Sequence, residues 1–336
     1  MRTIQWGIIG VGDVTEVKSG PALYKAPHSS VVAVMRRTAH LAEDYARRHN
    51  IPRWYDDADA LIADPEVHAV YIATPPDTHM LYTLKAAAAG KPVYVEKPMA
   101  RTFAECQRMI AACEQADVDL FVAYYRRKLP RFEKARELVQ SGALGDVRTV
   151  QLTITQTALA VAPGEPLPWR VVPEVAGGGL FLDLASHMLD WADHVFGPIT
   201  AAHGIAANHA GLYPAEDVVT GTWQHESGVQ GVGVWNFAAD RRTDLIEIVG
   251  SRGRLRFPCF APEPLALTTA DGTTTFDIPN PPHIQQPLVE TIVAALNGTG
   301  TCPSTGVTAA RTSRVMDAML AAWRAEHGPD FAALER

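Results

Sequence analysis

Apolar residues in the first third of the chain come in short, unbroken runs. Residues 4–9, 31–35, 69–73, 93–95 and 120–123 are rich in Ile, Val, Ala, Tyr and Phe and are bounded by glycine, proline or polar residues. Runs of this length without polar alternation predict strands buried on both faces. Between them the apolar positions recur at helical spacing. Helices are predicted over 13–24, with Gly20-Pro21 as an interruption, and over 41–49. A short one runs from Asp56 or Asp57 through 62, another from Asp77 through 89, and another over 103–116, opened by the capping pattern Thr102…Glu105. Strand and helix alternate with short connections, which predicts a doubly wound parallel sheet over residues 1–123.

The pattern changes after residue 124. A helix over 131–140, closed by Gly142, is followed by alternating strands at 147–157, 218–223, 229–237, 244–249, 255–257, 265–269 and 274–278. The connections Glu226-Ser-Gly, Ser251-Arg-Gly and Asp271-Gly272 are hairpin signals, so this sheet is expected to be mostly antiparallel. Helices return at 284–296 and 307–324, and the proline-rich pieces 162–173 and 279–287 read as loops. The expectation is an α/β chain of two domains: a doubly wound domain over 1–123, and an α+β domain over 124–336. Residues such as Val229, Val232, Val234, Trp235 and Phe237 occupy both alternating positions of their strand, so one face of the second sheet needs cover from another subunit.

Composition narrows the function classes. The 336 residues are 47% hydrophobic and 20% charged, with a net charge of −7. No basic run argues for nucleic acid, and no apolar run is long enough to span a bilayer. The opening residues enter a strand at once, without the apolar region of a signal peptide. Cys106, Cys113, Cys259 and Cys302 have no zinc or redox spacing, and Cys106 and Cys113 fall on one helix face as core residues. A cytoplasmic protein with reduced thiols is expected.

Chemistry concentrates at strand ends. The first strand closes in Gly10-Val-Gly12 and opens a helix at Asp13 and Val14. Such a turn lets the backbone approach a pyrophosphate at a helix N-terminus, although the third glycine of the dinucleotide pattern is replaced by Thr15. The second strand ends in Arg36-Arg37-Thr38. An NAD site carries an acid near this point, whereas arginine suits the 2′-phosphate of NADP(H), so NADP(H) is the expected cofactor and NAD(H) the alternative. Thr74, Pro75 and His79 follow the strand at 69–73 and share its carboxyl edge with Glu96-Lys97-Pro98, which follows 93–95. His79 reads equally as a surface helix residue. In an open α/β sheet that edge is where ligands bind.

In the second half, Pro168-Trp169-Arg170 precedes Gly177-Gly178-Gly179, after which the periodicity turns helical and places Asp183 and His187 on one face. A carboxylate beside an imidazole fixes its tautomer and suits proton transfer near neutral pH. A solvated ion pair is the plain alternative. A metal site drawing on Asp190 and His194 is another, but no third ligand shares their face, and no metal is expected.

Taken together, the glycine turn, Glu96-Lys97-Pro98 and the triple glycine with Asp183 and His187 resemble the Gfo/Idh/MocA oxidoreductases over nearly the whole chain. The resemblance implies NAD(P)-dependent hydride transfer at a sugar, polyol or related carbonyl, and a homodimer or homotetramer built through the C-terminal sheet. It implies that Lys97 orients substrate and polarises its oxygen, and that Asp183 with His187 handles the proton. Tyr125, Arg126, Trp169 and Arg170 are candidates for the substrate pocket, Trp169 by stacking on a sugar ring and Arg170 by binding a hydroxyl or carboxylate. Two other readings stay open at this point: a non-catalytic dinucleotide-binding regulator, and an enzyme that retains and recycles its nicotinamide.

Overall fold

The computed structural model describes residues 1–160 and 164–334, so positions 162 and 163 of the expected proline-rich loop lie outside the described residues. The chain divides into two compact units. The first comprises Met1–Leu129 and Asn280–Ala310, and the second comprises Pro130–Pro279 and Arg311–Arg336. No helix among the described residues is long and apolar enough to cross a membrane.

In the first unit, β1 (Ile4–Ile9), β2 (Ser29–Met35), β3 (Arg53–Tyr55), β4 (Ala69–Ile72), β5 (Val93–Val95) and β6 (Leu120–Val122) form one sheet in the order β3-β2-β1-β4-β5-β6. Every pairing in it is parallel. The order reverses between β1 and β4, and at such a switch point the carboxyl ends of the strands leave a crevice. Trp6, Ile8, Val34, Tyr71 and Tyr94 are fully buried, as a sheet covered on both faces requires. Cys106 and Cys113 are buried in α6 (Phe103–Gln115), and none of the four cysteines is in a disulfide.

One detail differs from the expectation and another sharpens it. Residues 53–55 form an edge strand, which three residues containing an arginine do not announce. The first helix is two pieces, α1 (Asp13–Val17) and α2 (Gly20–Lys25). A Cβ on Gly20 would lie 2.2 Å from the Thr15 carbonyl oxygen, so the chain folds back on itself there and one continuous helix is excluded. The helices α3 (Ala39–Arg48), α4 (Ala58–Ala63) and α5 (His79–Ala88) complete the alternation.

The second unit opens with α7 (Pro130–Gln140) and is built on an eight-stranded sheet. Its strands are β7 (Val147–Thr157), β8 (Ile199–Ala207), β9 (Val218–His225), β10 (Gln230–Ala239), β11 (Thr243–Gly250), β12 (Gly253–Phe257), β13 (Leu265–Thr269) and β14 (Gly272–Phe276). They run in the order β14-β13-β12-β11-β7-β10-β9-β8, antiparallel except for the β7–β10 pair. Leu152, Trp223, Trp235, Phe237, Ile246 and Phe257 point to the buried face. The alternation along β10 is resolved by facing: Trp235 and Phe237 are buried, whereas Val232 and Val234 are exposed beside threonines and glutamines.

Glycines on the buried face make room for large neighbours. A Cβ on Gly231 would fall 1.8 Å from the Trp223 ring, and one on Gly204 would fall 2.7 Å from Met319 Cβ of α11 (Gly306–His327). Two short helical pieces, α8 (Pro173–Ala176) and a π turn over Phe181–Ala185, lead into α9 (Ser186–Phe196). The aromatic cluster Phe132, Trp191 and Phe257 packs edge to face beneath α9. Helices α10 (Gln286–Leu296), in the first unit, and α12 (Phe331–Leu334), in the second, end the list.

Candidate active site

Two sets of side chains occupy the predicted positions, one in each unit. In the first, Gly10 has φ +93°, and a Cβ there would sit 2.6 Å from Thr74 Cγ2, so both conformation and space require glycine. The amides of Gly10 and Val11 donate to the Met35 carbonyl at 2.9 and 3.2 Å. The turn is thereby fastened to the ends of β2 and β4. Thr15 takes over at the third glycine position: its hydroxyl accepts from Gly12 N at 2.9 Å and donates to Gly12 O at 2.8 Å. The Thr15 carbonyl in turn accepts from Tyr45 Oη at 2.8 Å. Asp13 and Val14 lead α1, where backbone amides have no carbonyl a turn earlier to bond. Open space around a Cβ built on Gly12 leaves room for a pyrophosphate to approach them. The turn therefore fits the dinucleotide that the pattern implies.

Glu96, expected at the cofactor edge, is tied up by partners of its own unit. It is buried, and Oε1 accepts from Tyr71 Oη at 2.7 Å and from Gln285 Nε2 at 2.7 Å. Its Oε2 accepts from the backbone N–H of Lys97 at 3.1 Å. Tyr94 Oη donates to Gln285 Oε1 at 2.7 Å, and the two tyrosine rings stack at 4.8 Å. Burial, and then the Glu96 charge, push both phenols well above the ordinary tyrosine pKa, so they remain donors. The carboxylate is a buried hub that fixes the backbone from which Lys97 projects, half-buried, at the end of β5. The Lys97–Pro98 peptide is cis.

His79 is fully buried rather than on the surface. Its Nε2 lies 2.8 Å from the Thr74 carbonyl, and its Nδ1 lies 3.1 and 3.2 Å from the carbonyls of Pro98 and Met99. Burial is the largest influence and lowers its pKa, against the pull of those carbonyls. The ring thus staples the loop after β4 to the loop after β5. Pro75 is half-buried beside it.

Arg36, Arg37 and Thr38 are exposed at the end of β2, and neither arginine forms an ion pair among the described residues. Tyr125 and Arg126 lie in a buried 3₁₀ turn just after β6, with the guanidinium 5.1 Å from the Tyr125 ring centroid.

In the second unit, Asp183 falls in the π turn and His187 in the first turn of α9. Extra-wide turns of this kind recur at functional sites. Arg170 Nε lies 3.2 Å from Asp183 Oδ2, and its guanidinium covers the Trp169 ring at 4.4 Å. Trp169, Arg170 and Asp183 are thus joined in one chain of contacts. His187 is buried and meets the Phe260 ring edge to face at 5.7 Å.

The triple glycine is held from behind. Gly179 N donates to Glu216 Oε1 at 2.8 Å, and Arg324 Nη2 donates to the Gly177 carbonyl at 2.7 Å. A Cβ on Gly179 would lie 2.4 Å from the Glu216 carbonyl oxygen. Burial pushes the Glu216 carboxyl up to about 7, while the Gly179 N–H and Arg324 pull it down. Asp190 is buried and accepts from Thr312 Oγ1 at 3.3 Å. Among the described residues no three His, Cys, Asp or Glu side chains gather as a metal-holding group. Tyr71, Gln285, Glu216 and Phe260 are absent from the sequence reading: each acts through a distant partner, and no local pattern marks such a residue.

Comparison with known proteins agrees with this arrangement. Residues 4–124 match the model of an oxidoreductase family with an NAD-binding Rossmann fold, and 132–256 match the GFO/IDH/MocA C-terminal domain. Oxidoreductase P35 of Formosa agariphila is 38% identical over 94% of this chain and 97% of its own. The trans-1,2-dihydrobenzene-1,2-diol dehydrogenase of Sus scrofa is 29% identical over 79% of this chain and 77% of its own. The crystal structure of aldose-aldose oxidoreductase from Caulobacter crescentus, complexed with glycerol, superposes with a TM-score of 0.85 at 26% identity and covers 96% of this chain and 98% of that one. With the glycine turn, the strand-end lysine and both domain models in register along one sequence, the chain belongs to the GFO/IDH/MocA family of NAD-binding oxidoreductases.

Proposed function

We propose that this oxidoreductase moves hydride between NADP(H) and a secondary hydroxyl or ketone of a sugar, polyol or related diol. The bound nicotinamide supplies or accepts the hydride. Lys97 stabilises the negative charge that develops on the substrate oxygen, and His187 gives or takes its proton, with Asp183 and its partner Arg170 setting the local field. Trp169 offers a flat apolar surface to a sugar ring. Tyr125 and Arg126, being buried, act on the pocket by holding the chain after β6. Asp13 and Val14 offer amides to the pyrophosphate. Gly10, Gly12, Thr74 and Pro75 shape that turn, and His79 positions it.

The observation that carries the reading is the buried hub at Glu96. A buried carboxylate with three donors, one of them the main-chain N–H of a lysine at the carboxyl end of an interior strand, is costly unless that lysine must stay in place. Diol and aldose chemistry in the relatives supports the substrate class. The exposed Arg36 and Arg37, with Thr38, support a 2′-phosphate. The test is steady-state kinetics on a panel of sugars, polyols and vicinal diols with NADP⁺ and NAD⁺. Turnover of at least one with NADP⁺ preferred is expected. Binding of nucleotide without turnover on any member would instead indicate a regulator, and nucleotide absorbance in the freshly purified protein would indicate a retained, recycled nicotinamide.

We further propose assembly into a homodimer or homotetramer through the outer face of the eight-stranded sheet, where Ile205, Val232 and Val234 are exposed. Light scattering at micromolar concentration tests it, a monomer being the contrary result. Four buried cysteines, none of them in a disulfide, support a reducing compartment such as the cytoplasm.

A further inference from the structure

The segment 258–263 carries no regular structure, yet two charged side chains from different elements hold it. Asp244, on β11, accepts from the backbone amides of Cys259, Phe260 and Ala261 at 2.8, 2.7 and 2.9 Å. Arg131, buried in α7, donates to the carbonyls of Ala261, Pro258 and Glu263 at 2.6, 3.3 and 2.8 Å. One side chain takes up the amides and the other takes up the carbonyls of the same short stretch. Hydrogen bonds to charged groups contribute about twice what neutral ones do, so six of them on a surface segment exceed what closing a turn between β12 and β13 demands.

What the segment presents is Phe260. Cys259 beside it is buried, whereas the Phe260 ring is only half-buried and meets the imidazole of His187 edge to face. An apolar ring fixed against an imidazole limits the shapes that can approach that nitrogen, and it excludes water on that side.

We propose that Phe260 is a specificity-determining residue that walls the His187 side of the substrate site, and that Asp244 and Arg131 are positioning residues that hold it there. The assignment rests on the reading in which His187 handles the substrate proton. The ring narrows the approach to the imidazole, so a small diol and a ring-sized sugar respond differently to its removal.

The experiment compares kcat/KM for propane-1,2-diol and for a pyranose sugar, each with NADP⁺, in wild type, Phe260→Ala, Phe260→Tyr and Asp244→Asn. Phe260→Ala should change the ratio of the two kcat/KM values by about tenfold or more, the scale at which pocket shape discriminates. Phe260→Tyr should restore the ratio to within about twofold of wild type. Asp244→Asn should reproduce the alanine effect with the Phe260 ring still present, and nucleotide affinity by fluorescence should stay constant throughout. A ratio unchanged in Phe260→Ala, or an Asp244→Asn variant indistinguishable from wild type, would overturn the proposal. If wild type turns over neither compound, the choice of substrates fails separately from the placement of Phe260. The positioning role is then read by hydrogen exchange and by the imidazole resonances of His187. Asp244→Asn should speed exchange at residues 259–261 and move the His187 signals, and the absence of both changes overturns it. Thermal melts of each variant, with Phe260→Leu as a milder truncation, separate these outcomes from misfolding.

Discussion

Gln285 donates from Nε2 to Glu96 Oε1 at 2.7 Å across 189 positions of sequence. The same side chain accepts from Tyr94, so one amide satisfies a buried carboxylate and a buried phenol together. Gln285→Leu removes both partners at similar volume. An unsatisfied buried polar group costs about 1–3 kcal/mol, and more when charged, so a loss of about 2–4 kcal/mol is expected in urea unfolding. Gln285→Glu should cost at least as much, since it sets a second carboxylate against the first. A variant as stable as wild type would show that water replaces the amide without penalty.

Lys97→Ala should lower kcat by about 10²–10³, the loss typical of one electrostatic stabiliser at the reacting oxygen. Nucleotide affinity should change far less, because the lysine is assigned to the transition state. Stopped-flow hydride transfer and a fluorescence titration separate the two quantities. Near-native kcat would remove Lys97 from the chemistry.

Arg36→Asp should reverse cofactor preference. One hydrogen bond to a charged phosphate is worth about 1.5–3 kcal/mol, which corresponds to about ten- to a hundredfold in kcat/KM for NADPH over NADH. The exposed position makes the preference weaken at high salt. An aspartate variant that still prefers NADPH would assign the 2′-phosphate to other residues.

Glu216 gives the fold a pH signature. Burial raises its carboxyl from the ordinary 4.5 to about 7, so the folded state keeps a proton that the unfolded state has released across that window. The unfolded state then binds fewer protons, and stability falls as pH rises from about 4.5 to about 7. The full difference amounts to about 3 kcal/mol at one pKa unit per 1.36 kcal/mol. Glu216→Gln keeps an acceptor for Gly179 and removes the ionisation. It should match wild type in urea at pH 4.5 and exceed it at pH 8. Equal stability at both pH values would mean that Arg324 already neutralises the carboxylate.

The sheet of the first unit was readable because each buried strand is an unbroken apolar run, and the chemistry at its edge was readable because charge after such a run is out of place. The pattern was silent where shape, not polarity, decides. Residues 53–55 pair only because Met35 and its neighbours offer an edge. Residues 199–207 form β8 although they are mostly small, since Gly204 and its neighbours pack against Met319 instead of filling a core themselves. Asp183 and His187 were found by their spacing, but the π turn that carries Asp183 was not, because no residue pattern within Phe181–Ala185 announces an extra-wide turn. Glu96 was found, but its partners Tyr71 and Gln285 were not, because they arrive from elsewhere in the unit.

The return of residues 280–310 to the first unit has a bearing on synthesis. A ribosome releases β1 through β6 long before Gln285 exists, so the nascent first unit holds Glu96 with Tyr71 as its only side-chain donor of the final pair, and Tyr94 waits for its acceptor. The strands of the second unit are made in that interval and are free to pair early. Completion of the nucleotide-binding half is therefore among the last events of folding, and a chain stopped at residue 279 carries a full parallel sheet whose buried carboxylate lacks one of its three donors.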